Sequence, residues 1–264
     1  MDTDFGAVTS RDGTVIAYER AGSGPAVILV GGAFCDRSFA GPLAGLLQRD
    51  FTVVTYDRRG RGDSGDTPPY AVSREIEDLE AVITATGGPA YVFGGSAGAI
   101  LVFEAAARGL PIRKLAMVEP PYSGNGSRAP IPNLAARYTE LCASGRRGEA
   151  IALFMTKAVG QPPGAVEEVR RTPIWPALEA MAHTLAYDAE IVGDGVVPAG
   201  RGAAVRVPAL VVESTASPPW LRNASRAAAA ALPNGGHLVV PGRFHEPDTA
   251  LLAPELRRFF LGHP

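Results

Sequence analysis

The sequence predicts an α/β chain: a mostly parallel, doubly wound sheet interrupted once by a helical insertion. Three observations carry this. Unbroken apolar runs such as Ala26-Val27-Ile28-Leu29-Val30 fit strands buried on both faces of a parallel sheet. These runs alternate with segments whose apolar residues recur at helical spacing. From about residue 121 to about residue 206 the alternation stops, and helical patterns follow one another with no strand between them. We therefore expect a core built from residues 1–120 and 207–264. Residues 121–206 should form a cap over the carboxyl ends of the strands, where ligands bind in open α/β sheets.

Taken in order, residues 6–10 and 14–20 are short β-type runs joined by Arg11-Asp12-Gly13, a turn signal that predicts a hairpin. The strand at 26–30 ends in Gly31-Gly32-Ala33-Phe34. A helix over 39–49 and an apolar strand over 51–56 follow. Asp57-Arg58-Arg59-Gly60-Arg61-Gly62-Asp63-Ser64-Gly65 then makes a charged, glycine-rich loop. Residues 73–86 carry Ile76, Leu79, Val82 and Ile83 at helical spacing behind a serine start signal. Next come a strand entering Gly94-Gly95-Ser96-Ala97-Gly98, a helix to Arg108, and a strand over 115–118 ending in Glu119-Pro120-Pro121. In the insertion, helices are expected over 133–144, 148–159, 164–171 and 175–190. The α/β rhythm resumes with a strand over 209–212, a helix over 220–232, a strand over 237–240, the loop Pro241-Gly242-Arg243-Phe244-His245 and a closing helix over 250–261.

Composition narrows the function classes. The chain has 264 residues, 46% hydrophobic and 20% charged, enough for a buried core and too apolar for disorder. A net charge of -2 with no basic run gives neither a nucleic-acid footprint nor an anionic-membrane patch. Two cysteines, Cys35 and Cys142, make no disulfide framework, and the acidic N-terminus lacks the pattern of a signal peptide. The expectation is a soluble, cytoplasmic protein without membrane or nucleic-acid partners; a homodimer is possible.

The chemistry centres on Ser96. Strand, tight turn and helix around Gly-x-Ser-x-Gly are the context of a nucleophile elbow, where strain exposes the serine hydroxyl. Gly94 and Gly98 leave room where side chains would collide with neighbouring elements, and the helix that follows offers N–H groups to a developing oxyanion. A serine hydroxyl needs a base within hydrogen-bond reach. The chain has four histidines, His183, His237, His245 and His263. Of these, His183 belongs to the insertion, His237 begins a strand and His263 falls in the tail, whereas His245 sits in a loop after the last strand.

These motifs, in this order and over nearly the whole chain, resemble the α/β-hydrolase family. The resemblance implies a serine hydrolase with His245 as base, and an oxyanion hole of the Ala97 N–H with one from the Gly31–Phe34 loop, where Ala33 is the best donor and Phe34 an apolar wall. It also implies an aspartate after the strand 209–212, but that loop reads Glu213-Ser214-Thr215-Ala216-Ser217, with Ser217 in the place of the acid. Glu119, at the end of the preceding strand, is our expected triad acid, in an arrangement similar to that of zearalenone lactonases. Glu213 and a dyad without an acid are the alternatives. In the family the loop carrying Asp57, Arg58 and Arg61 is scaffold.

Among aromatic and sulfur residues of the insertion, Trp175, Met181, His183, Tyr187, Phe154 and Met155 lie at helical spacings and mostly suit an internal core. Trp175 and Tyr187 are the expected substrate contacts, and Cys35 either lines the pocket or fills the core. His183, Asp188 and Glu190 match no usual metal spacing, so no metal or cofactor is expected. The expected activity is cleavage of a carboxylic ester or lactone of a hydrophobic small molecule. A C–C hydrolase, a perhydrolase and a ligand-binding protein with an idle triad are the alternatives.

Overall fold

A computed structural model describes residues 3–123 and 131–262, so His263 lies outside the described residues. The main sheet is built from β1 (Asp4–Thr9), β2 (Val15–Gly22), β3 (Ala26–Val30), β4 (Thr52–Tyr56), β5 (Ala90–Gly95), β6 (Ile112–Val118), β7 (Ala209–Ser214) and β8 (Gly235–Val240). Their spatial order is β1-β2-β4-β3-β5-β6-β7-β8. β1 and β2 pair antiparallel, as the hairpin signal requires, β2 also pairs antiparallel with β4, and every pairing from β4 to β8 is parallel.

Strand alternation explains why the sheet needs helices on both faces. In β3, Ile28 and Val30 join one apolar core, while Val27 and Leu29 join another on the opposite face. The first core is closed by α2 (Val72–Ala85), α3 (Ala97–Ala107) and α10 (Pro219–Ala230). The second is closed by α1 (Gly41–Leu47) and α11 (Thr249–Leu261). Helix α3 is buried at every position from Ala97 to Ala106, which accounts for a composition that is apolar except for Glu104, whose carboxylate pairs with Arg201 at 2.9 Å.

Between β6 and β7 the described residues hold only helices: α4 (Leu134–Ala143), α5 (Arg147–Leu153) with a π-helical extension (Phe154–Val159), α6 (Pro163–Arg170), α7 (Trp175–Met181), α8 (Leu185–Val192) and α9 (Ala199–Gly202). The single helix expected over 175–190 is two. A 3₁₀ turn at Ala182–Thr184 separates α7 from α8, and the Thr184 hydroxyl donates back to Met181 O at 2.8 Å. Likewise, the helix expected over 39–49 begins as a 3₁₀ turn (Arg37–Ala40) and becomes α-helical only at Gly41-Pro42, where proline suits a first turn. β6 starts at Ile112 rather than 115, because Arg113 is exposed at the sheet end and can extend the strand without entering the core. Among the described residues no helix is long and apolar enough to cross a membrane.

Candidate active site

The central strand β5 delivers Ser96 at φ 54°, ψ -124°, a conformation that L-residues rarely adopt. Neighbouring backbone enforces the turn. A Cβ on Gly94 would lie 2.5 Å from Gly98 O, and one on Gly98 would lie 2.5 Å from Val30 O, so α3 can press against β5 and β3 only through glycine. Ala97 is the first residue of α3, where an N–H has no acceptor within its own helix. Gly32 brings the Gly31–Phe34 loop against the serine; a Cβ there would stand 2.9 Å from Ser96 Cβ.

Glu119 follows β6 and is fully buried. Its Oε1 accepts from Ser214 N at 2.7 Å, and its Oε2 accepts from His245 N at 2.9 Å and lies 3.1 Å from His245 Nδ1. Burial raises the Glu119 pKa, but the neighbouring His245 and Ser217 side chains and the Ser214 amide outweigh it and hold the carboxyl below its ordinary value. His245 sits at the tip of a small hairpin, β9 (Gly242–Arg243) with β10 (Glu246–Pro247), in place of the expected plain loop. Ser96, Glu119 and His245 all have positive φ, at 54°, 48° and 55°, and Phe34 joins them at 57°. Strain thus concentrates in the loops that converge on this site.

Ser96 and His245 line one cavity of about 970 Å³, together with Gly32, Ala33 and Ala97. The insertion supplies an apolar wall through Leu134, Tyr138, Phe154 and Leu185, and the core supplies Phe39 and Leu252 opposite. Cys35 is also at its wall.

Glu213 is equally buried but belongs to another cluster. It accepts from Arg222 Nε at 3.1 Å and Arg226 Nη2 at 2.9 Å, and its Oε2 lies 3.1 Å from His237 Nε2. Ser217 is buried beside Glu119, not in place of it.

Of the three expected substrate contacts, Trp175, Tyr187 and Phe34, none is among the residues that line this cavity. Trp175 is 8% exposed and packs inside the insertion with Ile151, Val166 and Ala182, under the Arg170 guanidinium at 5.1 Å. Tyr187 stacks on Tyr70 at 3.9 Å and donates to Asp66 Oδ2 at 2.7 Å, anchoring α8 to the core. Phe34 packs its ring against Phe154, edge to face at 5.4 Å. Phe154 is an insertion aromatic that does line the cavity. Tyr138 and Arg243, which sequence reasoning passed over, also line it; helical spacing reports which residues share a face, not which face meets the cleft. His183 lies 3.6 Å from Asp66, Asp188 pairs with Arg58 and Arg61, and among the described residues no group of histidine, cysteine and acid side chains could hold a metal.

A sequence model described as the alpha/beta hydrolase family matches residues 26–251. Among solved structures, an alpha/beta hydrolase from Sphaerobacter thermophilus DSM 20745 is 50% identical with a TM-score of 0.91, covering 97% of this chain and 100% of its own. A thermophilic esterase from Thermogutta terrifontis matches at 22% identity and TM-score 0.75, covering 97% and 98%. The enol-lactonase from Burkholderia xenovorans LB400 matches at 19% and 0.69, covering 97% and 99%. At such identities the last two share the fold alone. No curated protein matches the chain.

Proposed function

The chain belongs to the α/β-hydrolase family, and from that premise we propose that it cleaves a carboxylic ester or lactone through a Ser96-His245-Glu119 triad. The observation that carries this reading is the 3.1 Å approach of Glu119 Oε2 to His245 Nδ1, on a cavity that Ser96 also lines. With Nδ1 turned to a buried carboxylate, Nε2 is the nitrogen left to take the Ser96 proton as Oγ attacks the carbonyl. Glu119, already held in its ionised form, stabilises the imidazolium. The Ala97 and Ala33 N–H groups receive the tetrahedral oxyanion. His245 then protonates the leaving alkoxide, and a water that it deprotonates releases the acid from the acyl-enzyme. The mostly apolar cavity wall suits a hydrophobic acyl or ring system. A ligand-binding protein with an idle triad would not need a buried carboxylate on a histidine that lines the same cavity as the elbow serine, so the combination counts against that reading.

The test is turnover of short- to medium-chain p-nitrophenyl esters and labelling by a serine-directed phosphonate. Wild type should do both, and Ser96→Ala should lose the label and about 10⁴-fold or more in kcat. A wild type that neither turns over nor takes the label would sink the proposal.

A further inference from the structure

Beneath the Gly31–Phe34 loop lies a buried group of four charges. Arg58 Nη1 donates to Gly31 O at 3.3 Å, and Arg61 Nη1 donates to Gly32 O. Arg58 forks onto Glu75 at 2.6 and 2.7 Å. Asp188, from α8 in the insertion, accepts from Arg58 Nη1 at 2.8 Å and from Arg61 Nη2 at 2.9 and 2.8 Å. The two acids balance the two guanidinium groups. Asp188 is 4% exposed and also reaches the cavity lining. Burial would raise its carboxyl, but Arg61 and Arg58 pull it below its ordinary value, so it stays charged. Among the described residues Arg61 Nε has no hydrogen-bond partner, which leaves Asp188 and the Gly32 carbonyl to orient this side chain.

The peptide joining Gly32 to Ala33 is planar and trans, so its carbonyl and its N–H point in opposite directions. A cation gripping Gly32 O on one side therefore turns the Ala33 N–H to the other. The same cation polarises the peptide and makes that N–H a stronger donor. Arg58 acts likewise on Gly31 O and the Gly32 N–H.

We propose that Asp188 is a positioning residue for the oxyanion hole: by fixing Arg61, and through it the Gly32 carbonyl, it aims the Ala33 N–H at the substrate oxygen. The inference rests on the serine-hydrolase reading above. The helical insertion thereby sets the catalytic geometry as well as the pocket wall.

The test is Asp188→Asn in the full chain, assayed with p-nitrophenyl butyrate and with a trifluoromethyl ketone that mimics the tetrahedral state. Loss of an oxyanion donor costs roughly 10²–10³ in kcat, so a misaimed one should cost about 10–100-fold, with KM within about twofold. Ketone affinity should fall by the same factor as kcat/KM. If Asp188→Asn does not fold, Arg61→Lys replaces it; an ammonium lacks the fork, and the same split is expected. Asp66→Asn weakens a separate contact between core and insertion, the 2.7 Å bond from Tyr187. It should lower Tm while leaving kcat and ketone binding unchanged. Wild-type kcat and ketone affinity in the folded variant, or an equal loss in Asp66→Asn, would overturn the proposal while the hydrolase reading stands. A wild type without turnover or label would overturn both.

Discussion

Two glutamates stand at the ends of adjacent parallel strands, and each has a histidine nitrogen 3.1 Å away. Glu119 follows β6 and meets Nδ1 of His245; Glu213 lies within β7 and meets Nε2 of His237. Both carboxylates are fully buried and both are held below their ordinary pKa. Their remaining partners differ. Two arginines share Glu213, whereas among the described residues no arginine pairs with Glu119, whose other neighbours are the Ser214 and His245 backbone N–H groups and the Ser217 side chain. The Glu213 charge is thus already neutralised, and its histidine does not line the cavity. Glu119 keeps its charge for an imidazole that does. A carboxylate–histidine contact is therefore no signature of catalysis by itself. What distinguishes the two is where the unused ring nitrogen can go and whether another cation has claimed the acid.

The comparison breaks most sharply in activity. Glu119→Gln should lower kcat by about 10³–10⁴-fold, because a neutral amide neither holds the productive tautomer nor stabilises the imidazolium. Glu213→Gln should leave kcat within about twofold. Equal losses would show that the second cluster feeds the chemistry and that the distinction drawn above is wrong. Stability should run the other way. Glu213→Gln strands two guanidinium groups that lose a charged acceptor, and chemical denaturation should register about 2 kcal/mol. His237→Gln should cost less than that and leave ester turnover intact.

The smallest effect concerns acid. Both glutamates bind protons less readily in the folded chain than in the unfolded one. The stability they contribute is full above the ordinary carboxylate value of 4.5 and drains away as pH falls through the lower folded values. Melting temperature should therefore drop as pH is taken from 5 towards 3. Either glutamine variant should show a shallower drop, and an unchanged slope in both would mean that other acids control the transition.

Much of this was legible in the chain itself. Apolar runs such as 26–30 mark strands because a doubly covered sheet tolerates no polar face, and the glycine spacing around Ser96 has few other uses. The approach of Glu119 to His245 could be anticipated because an acid at a strand end before two prolines has few places to go. Other features were not legible, for physical reasons. Trp175, Tyr187 and Phe154 share helical periodicity, but the roll of each helix against the core is decided by tertiary packing, and only Phe154 is turned to the cleft. Asp188 could be weighed only beside His183 and Glu190, as a set matching no usual metal spacing, since its partners Arg58 and Arg61 are 130 and 127 positions away. Local pattern carries no information over that span.

The route by which the chain enters and leaves the insertion has a further consequence. It departs after Val118 and returns at Ala209, yet Val118 pairs directly with Val212, and Glu119 N bonds Val212 O at 3.0 Å. Both ends of the excursion are clamped to neighbouring strands whatever lies between, so a change in its length carries only the weak logarithmic cost of loop closure. The insertion is in this sense a replaceable cartridge, and exchanging it would give a new pocket on an old sheet. The exchange has one condition. A transplanted cartridge must bring an acid to the place of Asp188, or the loop beside Ser96 loses its support along with the old wall.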